Sequence, residues 1–97
     1  MGDSNVSTSN LMWNDEPEIF IYPNPATSYF TIHFELSLHQ HATYSILDLN
    51  GRVLEQGVIQ NQYTVVSCEN LSDGIYFCRI EENDGRLINK KILITHQ

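Results

Sequence analysis

Tyr29-Phe30-Thr31-Ile32-His33-Phe34-Glu35 alternates without interruption: Phe30, Ile32 and Phe34 are large and apolar, and Thr31, His33 and Glu35 stand between them. Successive side chains of a β-strand point to opposite faces, so the pattern predicts a strand with one face in a core and the other toward water. The two-residue period continues outward in both directions. Upstream, residues 18–22 form a short run ended by Pro23-Asn24-Pro25, where two prolines remove backbone donors and force an extended, turning path. Downstream, residues 42–49 set Tyr44 and Ile46 on one side and run into Asn50-Gly51, which predicts a tight hairpin with positive φ angles and a returning strand over 52–59. A fifth strand is predicted over 62–68, where adjacent Val65 and Val66 leave the inward face undecided. Ser72-Asp73-Gly74 leads into a sixth over 75–82, and Asn83-Asp84-Gly85 turns the chain into a seventh over 86–95. Seven short strands with turn signals every eight to twelve residues, and no convincing helix, predict an all-β, immunoglobulin-like, seven-stranded antiparallel β-sandwich.

Ninety-seven residues suit one domain with one core and leave little room for a large buried polar site. Residues 1–17, rich in Ser, Asn and Asp, read as a flexible linker or added tail, and residues 18–97 as the folded module. Within the tail, Leu11-Met12-Trp13 is an isolated apolar cluster, and Trp13 is a candidate anchor on the sandwich. The net charge of -7 argues against a general nucleic-acid or anionic-membrane surface, whose field would repel the chain. The longest apolar runs, such as residues 92–94, fall far short of the roughly 20 residues that a membrane-spanning helix needs, so no membrane insertion is expected. The first residues lack the basic-then-apolar order of a secretory signal, so an exported protein would take its first signal from another part of a longer chain.

Chemistry-bearing residues are present but not arranged for chemistry. His39-x-His41, with His33 nearby, lacks flanking Cys or acidic residues at zinc-like spacing and reads as exposed loop histidines. No nucleophile-elbow pattern assembles the Ser, His and Asp residues into a triad. Asp15-Glu16 and Glu81-Glu82 read as solvated surface charge rather than paired acid and base. No enzymatic activity, metal or cofactor is therefore expected. The stretch 71–78, with Tyr76 two residues before Cys78, resembles the sixth strand of an antibody domain, but the expected upstream Cys and Trp are missing. A generic feature survives: the Tyr76 ring would pack inward while its hydroxyl bonds the preceding loop, and Cys78 and Ile80 would share its inward phase. Whether Cys68 and Cys78 form a bridge is left open by their spacing.

Four elements occur in order: Ile21-Tyr22-Pro23-Asn24-Pro25-Ala26, Asp48-Leu49-Asn50-Gly51-Arg52-Val53, Leu71-Ser72-Asp73-Gly74-Ile75-Tyr76 and Lys90-Lys91-Ile92-Leu93-Ile94. Together, over about residues 19–95, the chain resembles the C-terminal sorting domains of the type IX secretion system. The resemblance implies a non-catalytic module that directs an attached N-terminal cargo through the outer-membrane export machinery to the cell surface or beyond. A sortase-like peptidase that removes the module would cut in the segment before Glu18. Carried onto this sequence, the resemblance makes Pro23, Asn24 and Pro25 shape the turn where the chain enters the sandwich, and lets Gly51 and Gly74 permit tight turns. It makes Tyr76 lock a corner and Lys90, Lys91, Ile92, Leu93 and Ile94 the displayed signal. The cysteines depart from the usual family pattern. A terminal strand with a free edge would offer a docking route, or edge-strand self-association.

Two other functions compete. A carbohydrate-binding or adhesive module needs a flat aromatic platform, and its candidates Trp13, Tyr22, Tyr29, Tyr63 and Phe77 are scattered over several strands, which reads as packing. A passive spacer needs no recognition residue at all.

Overall fold

The computed structural model describes residues 19–35 and 41–96; Trp13, the rest of the tail and His39 lie outside these. Seven strands follow one another: β1 (Ile19–Tyr22), β2 (Tyr29–Phe34), β3 (Ala42–Leu47), β4 (Val53–Ile59), β5 (Tyr63–Ser67), β6 (Gly74–Glu82) and β7 (Leu87–Ile94). The described residues contain no helix. All strand pairings are antiparallel and build two sheets, one ordered β1-β2-β5 and the other β4-β3-β6-β7. The pairings β2–β5 and β3–β6 skip over intervening strands, as in the immunoglobulin-like sandwich, and β4 joins the sheet of β3, β6 and β7.

The alternation that opens β2 works as its chemistry demands: Phe30, Ile32 and Phe34 are fully buried. They meet Tyr44, Ile46, Tyr76, Cys78, Ile80, Ile92 and Ile94 from the facing sheet in a single core. Pairing resolves the ambiguity in β5. Val66 lies opposite Phe30 and is buried, whereas Val65 lies opposite Thr31 and is exposed. Both cysteines are free thiols inside this core. Burial pushes the Cys78 thiol up to about 12 and raises Cys68 as well, so neither is poised as a thiolate.

The first hairpin differs in detail from the tight two-residue turn predicted. Gly51 has φ 84°, but among the described residues no other residue type takes a positive φ, so Asn50 does not share the left-handed conformation. The Gly51 N–H donates to the Asp48 carbonyl at 3.0 Å and the Asp48 N–H to the Arg52 carbonyl at 3.0 Å, giving a three-residue loop with a glycine at the bulge position. Asp48 explains the choice, because its Oδ1 accepts from the N–H groups of Asn50 and Arg52 at 2.9 and 3.0 Å. Those two bonds and the Arg52 guanidinium, 3.2 Å from Oδ2, hold the Asp48 carboxyl below its ordinary range. The second hairpin repeats the plan: Gly85, at φ 93°, donates to the Glu82 carbonyl, and the Glu82 N–H donates to the Arg86 carbonyl.

Glu82 corrects the expectation that Glu81-Glu82 is merely solvated. Glu81 is exposed, but Glu82 falls on the inward phase of Tyr76, Cys78 and Ile80 and is buried, with Arg86 at 3.9 Å. A buried carboxylate is tolerated where a cation and hydrogen bonds accompany it.

Candidate functional site

The last strand lies at a sheet edge. β7 pairs with β6 on one side only, in unbroken register from Gly74 opposite Ile94 to Glu81 opposite Leu87. Backbone groups of an antiparallel strand alternate between its two sides, so every second residue of β7 directs its N–H and C=O away from β6. Leu93 identifies which ones. Its N–H donates to Asn24 Oδ1 at 3.0 Å and its carbonyl accepts from the Ala26 N–H at 2.9 Å, both outside the sheet. Leu87, Asn89 and Lys91 share that outward set.

The segment 23–26 therefore acts as a clasp over the end of β7. Asn24 Nδ2 donates to the Lys91 carbonyl at 3.1 Å, while Ala26 bridges to Ile94 in parallel and its carbonyl accepts from the Thr95 N–H at 2.9 Å. Beyond the strand, the His96 N–H donates to Asp73 Oδ1 at 3.0 Å, and the His96 ring lies 2.6 Å from the Leu71 carbonyl. The chain end is thus tied to the corner before β6. The same corner is pinned by Tyr76, whose hydroxyl donates to the Ser72 carbonyl at 2.7 Å. Gly74 opens β6 opposite Ile94 rather than standing inside a turn.

The five candidates 90–94 separate into two groups. Ile92 and Ile94 are fully buried core residues, closed to any partner. Lys90, Lys91 and Leu93 are exposed. Lys90 has the same phase as Ile88, Ile92 and Ile94, so a charged side chain occupies an inward position at the sheet edge. Four of the five basic residues of the whole chain, Arg79, Arg86, Lys90 and Lys91, sit on this hairpin, although the chain is strongly acidic.

Chain residues 20–95 match the family model described as the secretion system C-terminal sorting domain. The chain belongs to this family. It is a sorting signal of type IX secretion, and the family's route leads through the outer membrane to the cell surface or the extracellular space. No curated relative matches the chain. Among solved structures, CopC from Methylosinus trichosporium OB3b is 15% identical with a TM-score of 0.48, covering 80% of this chain and 92% of that one. A likeness this weak carries no argument.

In this sorting domain, three of the five aromatic residues expected to be scattered packing groups turn out to share a surface. Tyr22, Tyr29 and Tyr63 are exposed, together with Phe20 and Val65, on the outer face of the β1-β2-β5 sheet. Phe77 is half-buried on the other sheet. Cross-strand register brings Phe20, His33 and Tyr63 into one row, with His33 stacked on Tyr63 at 4.6 Å and tilted against Phe20 at 5.8 Å. Phe20, His33 and Tyr63 spend ring faces on one another instead of presenting them flat to a sugar.

Sequence reasoning missed Asn24 as a contact of β7, because its two bonds span 67 and 69 residues and only the β2–β5 and β3–β6 crossings bring the segments together. Among the described residues, no cluster of His, Cys, Asp and Glu could hold a metal ion, and His41 is exposed. A groove of about 640 Å³ is lined by Asp48, Arg52, Glu55, Ser67, Ser72 and Tyr76 among others. Asp48 is already engaged by its own turn there, and no His or Cys lines the groove among the described residues.

Proposed function

We propose that this domain is a non-catalytic address tag whose recognised element is the exposed part of β7, centred on Lys90 and Lys91. The carrying observation is placement: both lysines are exposed on an edge strand, in a domain that is otherwise acidic. Recognition needs accessible chemistry, and edge backbone plus paired cations supplies both hydrogen-bonding groups and charge. Ile92 and Ile94 contribute by holding the strand in place, and Pro23, Asn24 and Pro25 by fixing the clasp. Gly51, Gly74 and Tyr76 serve the scaffold.

In the same reading, residues 1–17 join the sandwich to its N-terminal cargo, and a sortase-like peptidase cuts in the segment before Glu18. The test replaces Lys90 and Lys91 with Ser in a full-length cargo and measures surface delivery. Loss of delivery with an unchanged melting temperature is expected. Undiminished delivery removes the lysines from the signal.

A further inference from the structure

We infer that the open part of the β7 edge, residues 87–91, is a docking site for an acidic extended segment of the export machinery, which adds to the sheet as an extra strand and stops at Asn24. The inference rests on the sorting role proposed above. Its starting point is the inventory of outward backbone groups. The clasp occupies the Lys91 carbonyl and both Leu93 groups, whereas the N–H and C=O of Leu87 and Asn89 and the Lys91 N–H point away from β6 outside the clasp. Asn24 thus sets a physical end to the docking stretch, and a partner strand has room for about five residues.

Charge selects the partner. An inward lysine at an edge ordinarily blunts strand pairing, because a neutral strand laid against it leaves a desolvated cation and a basic strand adds repulsion. An acidic strand converts both penalties into attraction. Lys90 offers a cation on the inward side of the new pairing, Lys91 on the outward side, and Arg79, held by Asn89 at 3.4 Å, a third beside it. A second copy paired through the same stretch, symmetric about Asn89, would set Lys90 diagonal to its own counterpart on one face, so like charge disfavours self-pairing through β7.

The probe is a seven-residue peptide of alternating valine and glutamate, with its valine–lysine counterpart as control, titrated into the 97-residue chain. Amide exchange and chemical shifts are read by NMR. Protection of the Leu87, Asn89 and Lys91 amides by the acidic peptide, with no change at Leu93, supports the inference. No binding, equal binding of both peptides, binding on the Phe20-Tyr63 face, or a dimer that protects the same amides overturns it. The variant Asn89→Pro removes an outward N–H without touching the β6 ladder and abolishes peptide binding if the edge is used. The double reversal K90E/K91E, which leaves the backbone intact, weakens the acidic peptide about tenfold and gains the basic one. In cargo export, normal delivery by both Asn89→Pro and K90E/K91E sinks the edge site while leaving the sorting role standing. Failure of the unaltered domain to deliver cargo sinks the sorting role itself.

Discussion

Asn24→Ala removes two side-chain bonds to the backbone of β7, at 3.0 Å to the Leu93 N–H and 3.1 Å to the Lys91 carbonyl. A net hydrogen bond contributes about 0.5–1.5 kcal/mol, and both of these are exposed, so water replaces part of what is lost. The low end of the range applies, giving a loss of about 1 kcal/mol. For a domain of this size that corresponds to a fall of roughly 4–8 °C in melting temperature. Locally the effect is sharper, since the Leu93 N–H loses its Asn24 acceptor while Ile92 and Ile94 stay bonded to β6. Hydrogen exchange should therefore speed up at Leu93 beyond the change seen at Ile92. The remaining Ala26 bonds to the Leu93 carbonyl and the Thr95 N–H keep the segment near the strand. Asn24→Asp sharpens the test, because it keeps an acceptor for Leu93 and loses only the donor to Lys91. Its Leu93 exchange should stay close to that of the unaltered chain. Uniform acceleration across β6 and β7, or an unchanged Leu93 rate in Asn24→Ala, would refute the clasp.

Other outcomes follow from the same structure. Tyr76→Phe deletes the bond to the Ser72 carbonyl and should cost about 1–2 kcal/mol in urea denaturation; an unchanged midpoint would mean the corner does not depend on the hydroxyl. Gly57→Ala should cost about 1–3 kcal/mol, because its Cβ would fall 2.6 Å from Tyr44 Cζ and press a core ring out of place; the check is the same denaturation curve, with a neutral result showing that Tyr44 swings aside freely. Burial raises the Cys78 thiol from 9.0 to about 12, so above pH 9 the unfolded chain gives up a proton that the folded chain keeps. Stability is therefore unaffected by this thiol below pH 9 and falls between pH 9 and 12, and Cys78→Ala should flatten that part of the profile relative to the unaltered chain.

Local pattern carried much of the fold. Phe30, Ile32 and Phe34 declared an inward face that only a β-strand could present, and the glycines of Asn50-Gly51 and Asp84-Gly85 announced the two hairpins. The Tyr76 hydroxyl, aimed at the loop before it, follows from a tyrosine placed just after a turn. What pattern could not supply was partnership across the chain. Val65 and Val66 are equivalent until Phe30 stands opposite one of them. Tyr22, Tyr29 and Tyr63 looked scattered because they come from three strands, and only register gathers them, with Phe20, on one face. Glu82 looked solvated because its neighbour Glu81 is, and the inward phase of β6 separates the two. For the recognition surface, the four-element resemblance located the last strand, whereas the division into buried Ile92 and Ile94 and accessible Lys90 and Lys91 required the sandwich.

The most direct measurement fuses this chain to the C-terminus of an exported reporter and compares surface display in a host with an intact type IX machinery and in the same host lacking it. The reporter should reach the surface in the first and accumulate in the periplasm in the second. Equal display in both, or periplasmic retention in both, would contradict a sorting role for this domain.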